Sequence, residues 1–208
     1  MYICISNFFE KMSKSERTKA FIIETVAPIF NKNGYAAMSL SKITEATGLT
    51  KGAIYGHFEN KEELAIESFK FSVRKVLKDL NETVNKGETP LKMLLNVALF
   101  YEGYYEYNKQ FGGCPILNIG VDANNQNKVI AQLVQSYNHR ILEKFSMLIE
   151  KAKETDEIKN SIDSMLYAKR FFYMIEGAVY MTHIMNDESY LKDVSTVLQQ
   201  IIKQELQK

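Results

Sequence analysis

The sequence predicts an all-α chain of about nine helices, arranged as three short N-terminal helices, one long connector and five further helices. Three observations carry that expectation. Proline occurs only three times in 208 residues. Apolar residues recur at spacings of three and four, the helical period, and no segment alternates as a strand would. The run "SLSKITEATGLTKGAIYGHF" reads as two short helices about a glycine turn, the helix-turn-helix pattern.

The elements follow in order. The opening "MYICISNFFEK" is apolar but too short for a membrane span, and it lacks the basic start and small-residue cleavage site of a signal peptide. Residues 1–13 are therefore set apart as an extension, with Met12 as a possible alternative start. A first helix is expected from Ser15 to Asn33, with Ile22, Ile23, Val26, Ile29 and Phe30 on its inner side and Gly34 as a left-handed stop. Pro28 lies inside it and removes a hydrogen bond to Glu24, which predicts a kink. Two short helices follow, Leu40 to Thr47 and Lys51 to His57, with Ser39 and Thr50 as N-caps and Gly48 in the turn between them. Helices of two turns are not stable alone. Leu40, Ile43, Leu49, Ile54 and Phe58 are the side chains that would pack them on the first helix.

Asn60 and Glu63 have the spacing of a capping box and start the connector, which runs to about Asn85. "KGETP" stops it and restarts the chain at Thr89 and Pro90. Helices are then expected over 90–109, 115–122, 127–154, 162–186 and 189–206. The breaks between them are "FGGCP", "DANNQ", "ETDEI" and "MNDES".

Composition narrows the function. A chain of this length buries a core without staples, and Cys4 and Cys114 lie far apart with no metal-ligand spacing, which fits a reducing, cytoplasmic setting and no metal site. The 26 basic and 25 acidic residues nearly cancel, so a polybasic membrane or histone-like binder is excluded. From Lys11 to Lys61, however, eight basic side chains face four acidic ones. That local excess suits an anionic partner at one end of the molecule.

Chemistry is hard to place in this sequence. "GLTKG" lacks the strand and the lysine directly after the last glycine that a mononucleotide loop requires. His57, His139 and His183 are scattered, and there is no zinc-protease, nucleophile-elbow or dinucleotide fingerprint. An enzyme is not expected, nor a cofactor. If the second short helix is a recognition helix, Ile54 and Phe58 face inward, which leaves Lys51, Gly52, Ala53, Tyr55 and His57 outside, with Lys61 nearby. A helix N-terminus and these donors suit DNA phosphate. A solvated polar face on an ordinary three-helix unit is the plainer alternative.

The run "FIIETVAPIFNKNGYAAMSLSKITEATGLTKGAIYGHFENKEEL" closely resembles the N-terminal domain of tetracycline-repressor (TetR) family transcription regulators, through Phe30, Gly34, Ser39, Ile43, Gly48, Lys51, Gly52, Tyr55, His57, Phe58, Lys61 and Leu64. The resemblance implies an N-terminal three-helix helix-turn-helix domain (14–74) joined by a connector helix to a C-terminal ligand-binding and dimerisation domain (75–208). It implies a homodimeric repressor that binds double-stranded DNA at a pseudo-palindromic operator and responds to a small-molecule effector. Carried over by position, Ser39 and Thr50 cap helices and reach phosphate, Lys51, Gly52 and Ala53 face base edges or sugar, and Tyr55, His57 and Lys61 hold the backbone. Thr25, Pro28, Thr44 and Gly56 depart from the family pattern. A helical ligand-binding or protein-interaction module that no longer reads DNA is the runner-up.

Further features belong to the C-terminal part. "FFYMIEGAVYM" (171–181) is apolar almost all round, so its helix should be covered on more than one side, with Gly177 and Ala178 admitting a close neighbour. Leu191, Val194, Val197, Leu198 and Ile201 form a stripe on the last helix that would complete a four-helix dimer interface. Aromatics crowd "LFYEGYYEYNKQFGGCP", where Phe100, Tyr101, Tyr104, Tyr105 and Tyr107 are expected on one helix. Buried tyrosines around an apolar pocket would hold an apolar or aromatic effector. The candidate lining is Tyr101, Tyr104, Tyr105, Cys114, Phe172, Glu176 and His183, against a plain tyrosine-rich core. Cys114 stands near a helix start, where a thiolate would be stabilised; packing is the commoner role of such a cysteine and redox sensing the lesser reading.

Overall fold

The structure, a computed structural model, describes residues 13–109, 111–124 and 126–208. The expectations for residues 1–11 and for Cys4 lie outside them. The described residues form ten helices: α1 (Lys14–Ala37), α2 (Leu40–Thr47), α3 (Lys51–Tyr55), α4 (Lys61–Val84), α5 (Pro90–Glu102), α6 (Tyr104–Lys109), α7 (Pro115–Ala123), α8 (Lys128–Glu154), α9 (Ser164–Met185) and α10 (Ser189–Ile201), the last continued by a π-turn, Ile202–Leu206. Among the described residues no helix is long and apolar enough to cross a membrane.

Local chemistry explains most boundaries. Ser13 and Glu16 form a reciprocal capping box at the start of α1, with Oγ accepting from the Glu16 N–H at 3.2 Å and Glu16 Oε2 accepting from the Ser13 N–H at 2.8 Å. Ser39, Thr50, Asn60 and Thr89 each cap the following helix through the side-chain oxygen. Glu63 turns back as expected but accepts from the Glu59 N–H, at 2.6 Å, rather than from Asn60. Gly48 ends α2 at φ 67°, and its N–H bonds to the Thr44 carbonyl.

Three expectations are corrected. Around Pro28 the dihedrals remain helical; α1 breaks at Gly34 instead, with φ 79° and ψ 172°, before a last turn to Ala37. Proline's missing N–H costs one bond of the ladder, whereas a positive φ takes the chain out of the helix altogether. The aromatic segment is two helices, because Gly103 leaves the ladder and bonds its N–H to the Tyr101 carbonyl; this accounts for ten helices rather than nine. The apolar stripe of α10 is mostly spent inside the chain: Leu191, Val194 and Leu198 are buried, as α10 packs on α5 and α9, so these three are not free for a second copy, while Val197 and Ile201 stay half-buried.

The N-terminal core is small. Ile22, Val26 and Phe30 of α1 meet Ile43, Ile54 and Phe58, with Leu64, Ala65 and Phe69 of α4 closing it. Full burial of Ile54 and Phe58 contributes about 1.5–3 kcal/mol each, which is what holds a five-residue α3 in place. α1 also packs on α7, and α7 on α8, so the first helix belongs to both parts of the molecule.

Candidate nucleic-acid interface and the C-terminal polar cluster

Side chains on α3 sort by helical phase. Ile54 is buried, while Lys51, Gly52, Ala53 and Tyr55, the last 37% exposed, face solvent. Among the described residues nothing lies within 4 Å of where a Cβ on Gly52 would stand. The missing side chain therefore answers no internal contact. The Lys51 ammonium lies over the Tyr55 ring at 6.0 Å, so the two present one edge. Ser39 and Thr50 are exposed; their oxygens already accept from the Lys42 N–H at 3.3 Å and the Ala53 N–H at 3.2 Å, and Ser39 Oγ also shares a hydrogen bond with Ser41 Oγ at 2.8 Å, while the Thr50 hydroxyl hydrogen remains to donate. His57 is half-buried.

Lys61 stands apart from this group. It is half-buried, with its ammonium 4.4 Å from the Tyr35 ring centre. Burial lowers its pKa, and Asp122 opposes that shift. Gly56 would carry a Cβ in ordinary contact with the Gly52 carbonyl oxygen, at 3.4 Å, so no internal clash demands glycine there. Thr44 is half-buried and donates its hydroxyl to the Ser41 carbonyl. Thr47, unnoticed in the sequence, is buried; its Oγ1 donates to the Ile43 carbonyl at 2.7 Å and accepts from the Leu49 N–H at 3.3 Å, bracing the turn.

A polar network ties this head to the body. Asn31 of α1, buried, donates through Nδ2 to the carbonyls of Phe111 and Gly113, both at 2.7 Å. Asn118 of α7 donates to the carbonyls of Asn31 and Gly112 at 3.1 and 2.7 Å. Asp122 accepts from the Tyr35 N–H at 2.6 Å, and its carboxylate lies where a Cβ on Gly34 would fall, 2.8 Å away. Asn127 caps α8 and also donates to Glu62 at 2.6 Å. Asn31, Asn118, Asp122 and Asn127 were not singled out from sequence. One signal was present: Ile23, Ala27 and Asn31 follow at intervals of four, which puts an amide on an apolar face.

The candidate C-terminal residues do converge. Tyr101 and Tyr104 are buried with ring centres 5.2 Å apart. Tyr105 packs against His183 at 5.4 Å and donates to Asn186 at 2.5 Å. Cys114 approaches Glu176, its Sγ 3.5 Å from Oε1. Burial pushes the Glu176 pKa up to about 7, against a lowering contribution from the Cys114 hydrogen bond. Burial, then the Glu176 charge, push the Cys114 thiol well above its ordinary value, and they outweigh the backbone N–H groups of Leu117 and Ile116. The thiolate expected of a redox switch is therefore disfavoured. Burial lowers the His183 pKa.

Phe172 and Glu176 line an open groove of about 870 Å³ between α7, α8 and α9; Tyr101, Tyr104, Tyr105, Cys114 and His183 do not line it. The seven candidates thus divide into a groove wall and a packed layer. Among the described residues no three of His, Cys, Asp and Glu gather closely enough to hold a metal ion.

Known proteins share both parts. A family model described as bacterial regulatory proteins, tetR family, matches residues 22–67, and one described as tetracyclin repressor-like, C-terminal domain, matches residues 90–198. The fatty acid metabolism regulator protein of Bacillus subtilis (strain 168) is 25% identical over 178 residues, covering 85% of this chain and 89% of that protein. The HTH-type transcriptional regulator TtgR of Pseudomonas putida is 41% identical over 70 residues, 34% of this chain and 30% of that one. Two solved structures are similar over nearly their whole length. A TetR-family transcriptional regulator from Cytophaga hutchinsonii has 32% identity and a TM-score of 0.85, covering 93% of this chain and 96% of that one. A TetR transcriptional regulator from Chloroflexus aurantiacus J-10-FL has 28% identity and a TM-score of 0.90, covering 94% and 99%. With one model over the helix-turn-helix and the other over more than half of its length, the chain belongs to the tetracycline-repressor (TetR) family of DNA-binding transcriptional regulators.

Proposed function

We propose that the protein is a homodimeric repressor that reads a pseudo-palindromic operator through α3 and responds to a small apolar or aromatic effector bound in its C-terminal part. The observation that carries this reading is the exposed edge of α3. Ile54 and Phe58 anchor it, Ser39 and Thr50 cap the two short helices, and Lys51, Gly52, Ala53 and Tyr55 face outward. Lys51, Gly52 and Ala53 contact base edges or sugar. Ser39, Thr50, Tyr55 and His57 hold phosphate, and Lys61 joins them if it swings off Tyr35. Residues 14–74 form the DNA-binding domain and 75–208 the effector-binding and dimerisation domain, acting in the cytoplasm without catalytic turnover.

The dimer reading rests on α9. Leu166, Tyr173, Tyr180 and Ile184 are exposed, the last three at 62%, 51% and 64%, and Gly177 lies among them with nothing within 4 Å of its Cβ position. Their spacing puts them on one helix face, where a second copy would bury them. That face replaces the α10 stripe as the main contact.

The test is selection of bound fragments from random-sequence DNA, followed by titration of the enriched site. An enriched palindrome is expected. Lys51→Ala should weaken binding by about 1–3 kcal/mol and relax the sequence preference at the bases it faces, and Tyr55→Phe should also weaken it. Both variants should melt as the parent does, because both side chains are exposed. Absence of enrichment would favour a helical module that does not read DNA, and parental binding by both variants would remove α3 from the interface.

A further inference from the structure

We infer that the effector is an organic cation, a protonated amine on an apolar or aromatic body, seated in the groove between α7, α8 and α9 with its nitrogen on Glu176. This rests on the effector reading above and names the chemistry of that site. The groove, about 870 Å³, is large enough for a drug-sized molecule. Ile116, Leu117, Ala131 and Phe172 give it apolar walls. Two of its lining residues also carry buried polar atoms without a partner: Glu176 Oε2 from α9 and Asn138 Oδ1 from α8. Both are acceptors. A buried acceptor left unmatched is destabilising, more so when charged, and an ammonium brings three donors together with the charge that ionised Glu176 lacks nearby.

The charges around the site favour the same ligand. Among the residues lining the groove Glu176 is the acid and Lys128, at the first position of α8, the base. On the far side of the carboxyl lie Cys114, Tyr101 and Tyr104, whose own pKa values are all raised. They stay neutral near pH 7. His183, further along α9, has its pKa lowered and is neutral there too. A carboxylate ligand would oppose ionisation of Glu176 and a neutral one would leave the ionised carboxylate unmatched, whereas a cation stabilises it.

The sign of the pH effect follows. Glu176 holds its proton up to about pH 7 in the free protein, and a cation favours the ionised form, so binding releases a proton. Affinity for an amine should rise with pH through that range.

The experiment is calorimetric titration of the full chain with three probes of one shape: phenylbutylamine, phenylbutanol and phenylbutyrate. The amine is expected to bind roughly tenfold or more tighter than the other two, with affinity rising between about pH 6 and about pH 8. Glu176→Gln should abolish the preference. The wild-type pH profile carries the test even if that variant folds poorly. Equal or tighter binding of the alcohol or the acid, a preference that survives Glu176→Gln, or no binding of the amine overturns the inference. Operator titration with each probe separates the two readings. If the acid or the alcohol alters operator affinity and the amine does not, the effector reading stands and the cation falls. If the amine binds through Glu176 and operator affinity is unchanged, the cation stands and its role as effector falls.

Discussion

Replacing Glu176 by glutamine should change how stability depends on pH. Burial raises the carboxyl from 4.5 to about 7 in the folded chain, while the unfolded chain keeps an ordinary value. Below both values the group is protonated in either state and contributes nothing. Between them the folded state holds a proton that the unfolded state has released, so stability falls as pH rises. Above about pH 7 both states are ionised, and the full cost of the buried charge remains. Each pKa unit corresponds to about 1.4 kcal/mol, which puts the total near 3 kcal/mol as an order of magnitude. A glutamine in this place has no such proton, and its side-chain oxygen can still accept from Cys114. His183 works in the opposite direction: burial lowers its pKa, so it costs nothing while neutral and lowers stability as pH falls. The informative quantity is therefore the difference between parent and variant, in which His183 cancels. Urea unfolding at fixed protomer concentration, from about pH 5 to about pH 8, measures it. The parent should lose about 2–3 kcal/mol relative to Glu176→Gln across that range. A difference that stays flat within about 1 kcal/mol would refute the buried, uncompensated carboxyl.

Three further outcomes follow from other contacts. Asn31→Ala should cost about 2–4 kcal/mol in thermal or urea unfolding, because it strands the Phe111 and Gly113 carbonyls that its amide satisfies. Gly34→Ala should cost at least about 1–2 kcal/mol by the same measurements, since φ is 79° and the new methyl would meet the Asp122 carboxylate. Paired Tyr173→Arg and Tyr180→Arg substitutions should yield a monomer by light scattering with unchanged helical circular dichroism, as both side chains are exposed on one face of α9.

On the effector reading proposed above, Glu176 would also bear on how the molecule signals. Its neighbour Cys114 follows the Phe111–Gly113 loop that Asn31 and Asn118 clamp to α1. A ligand that draws the carboxyl toward the groove would act on the same loop that fixes the end of the DNA-binding head. The clamp consists of buried and partly buried hydrogen bonds that share one network.

Much of the fold was legible because its signals are local. Ser39, Thr50, Asn60 and Thr89 bond N–H groups three residues ahead, and Gly48 needs only its own φ. Residue type and spacing suffice for interactions of that range, and they placed the helix-turn-helix and the outward edge of α3. What the sequence left open involves partners far along the chain. Asn31 reaches residues 80 and 82 positions away, and nothing near it in sequence announces them. An apolar stripe states that a helix will be covered but not by what: α10's is covered by α5 and α9, while α9 keeps a bare face of its own. Glu176 reads from sequence as one charge on an apolar helix. Only the packing of α5, α6, α7 and α8 around it decides that its carboxyl is buried, raised in pKa and short of a donor, because desolvation depends on every neighbour at once.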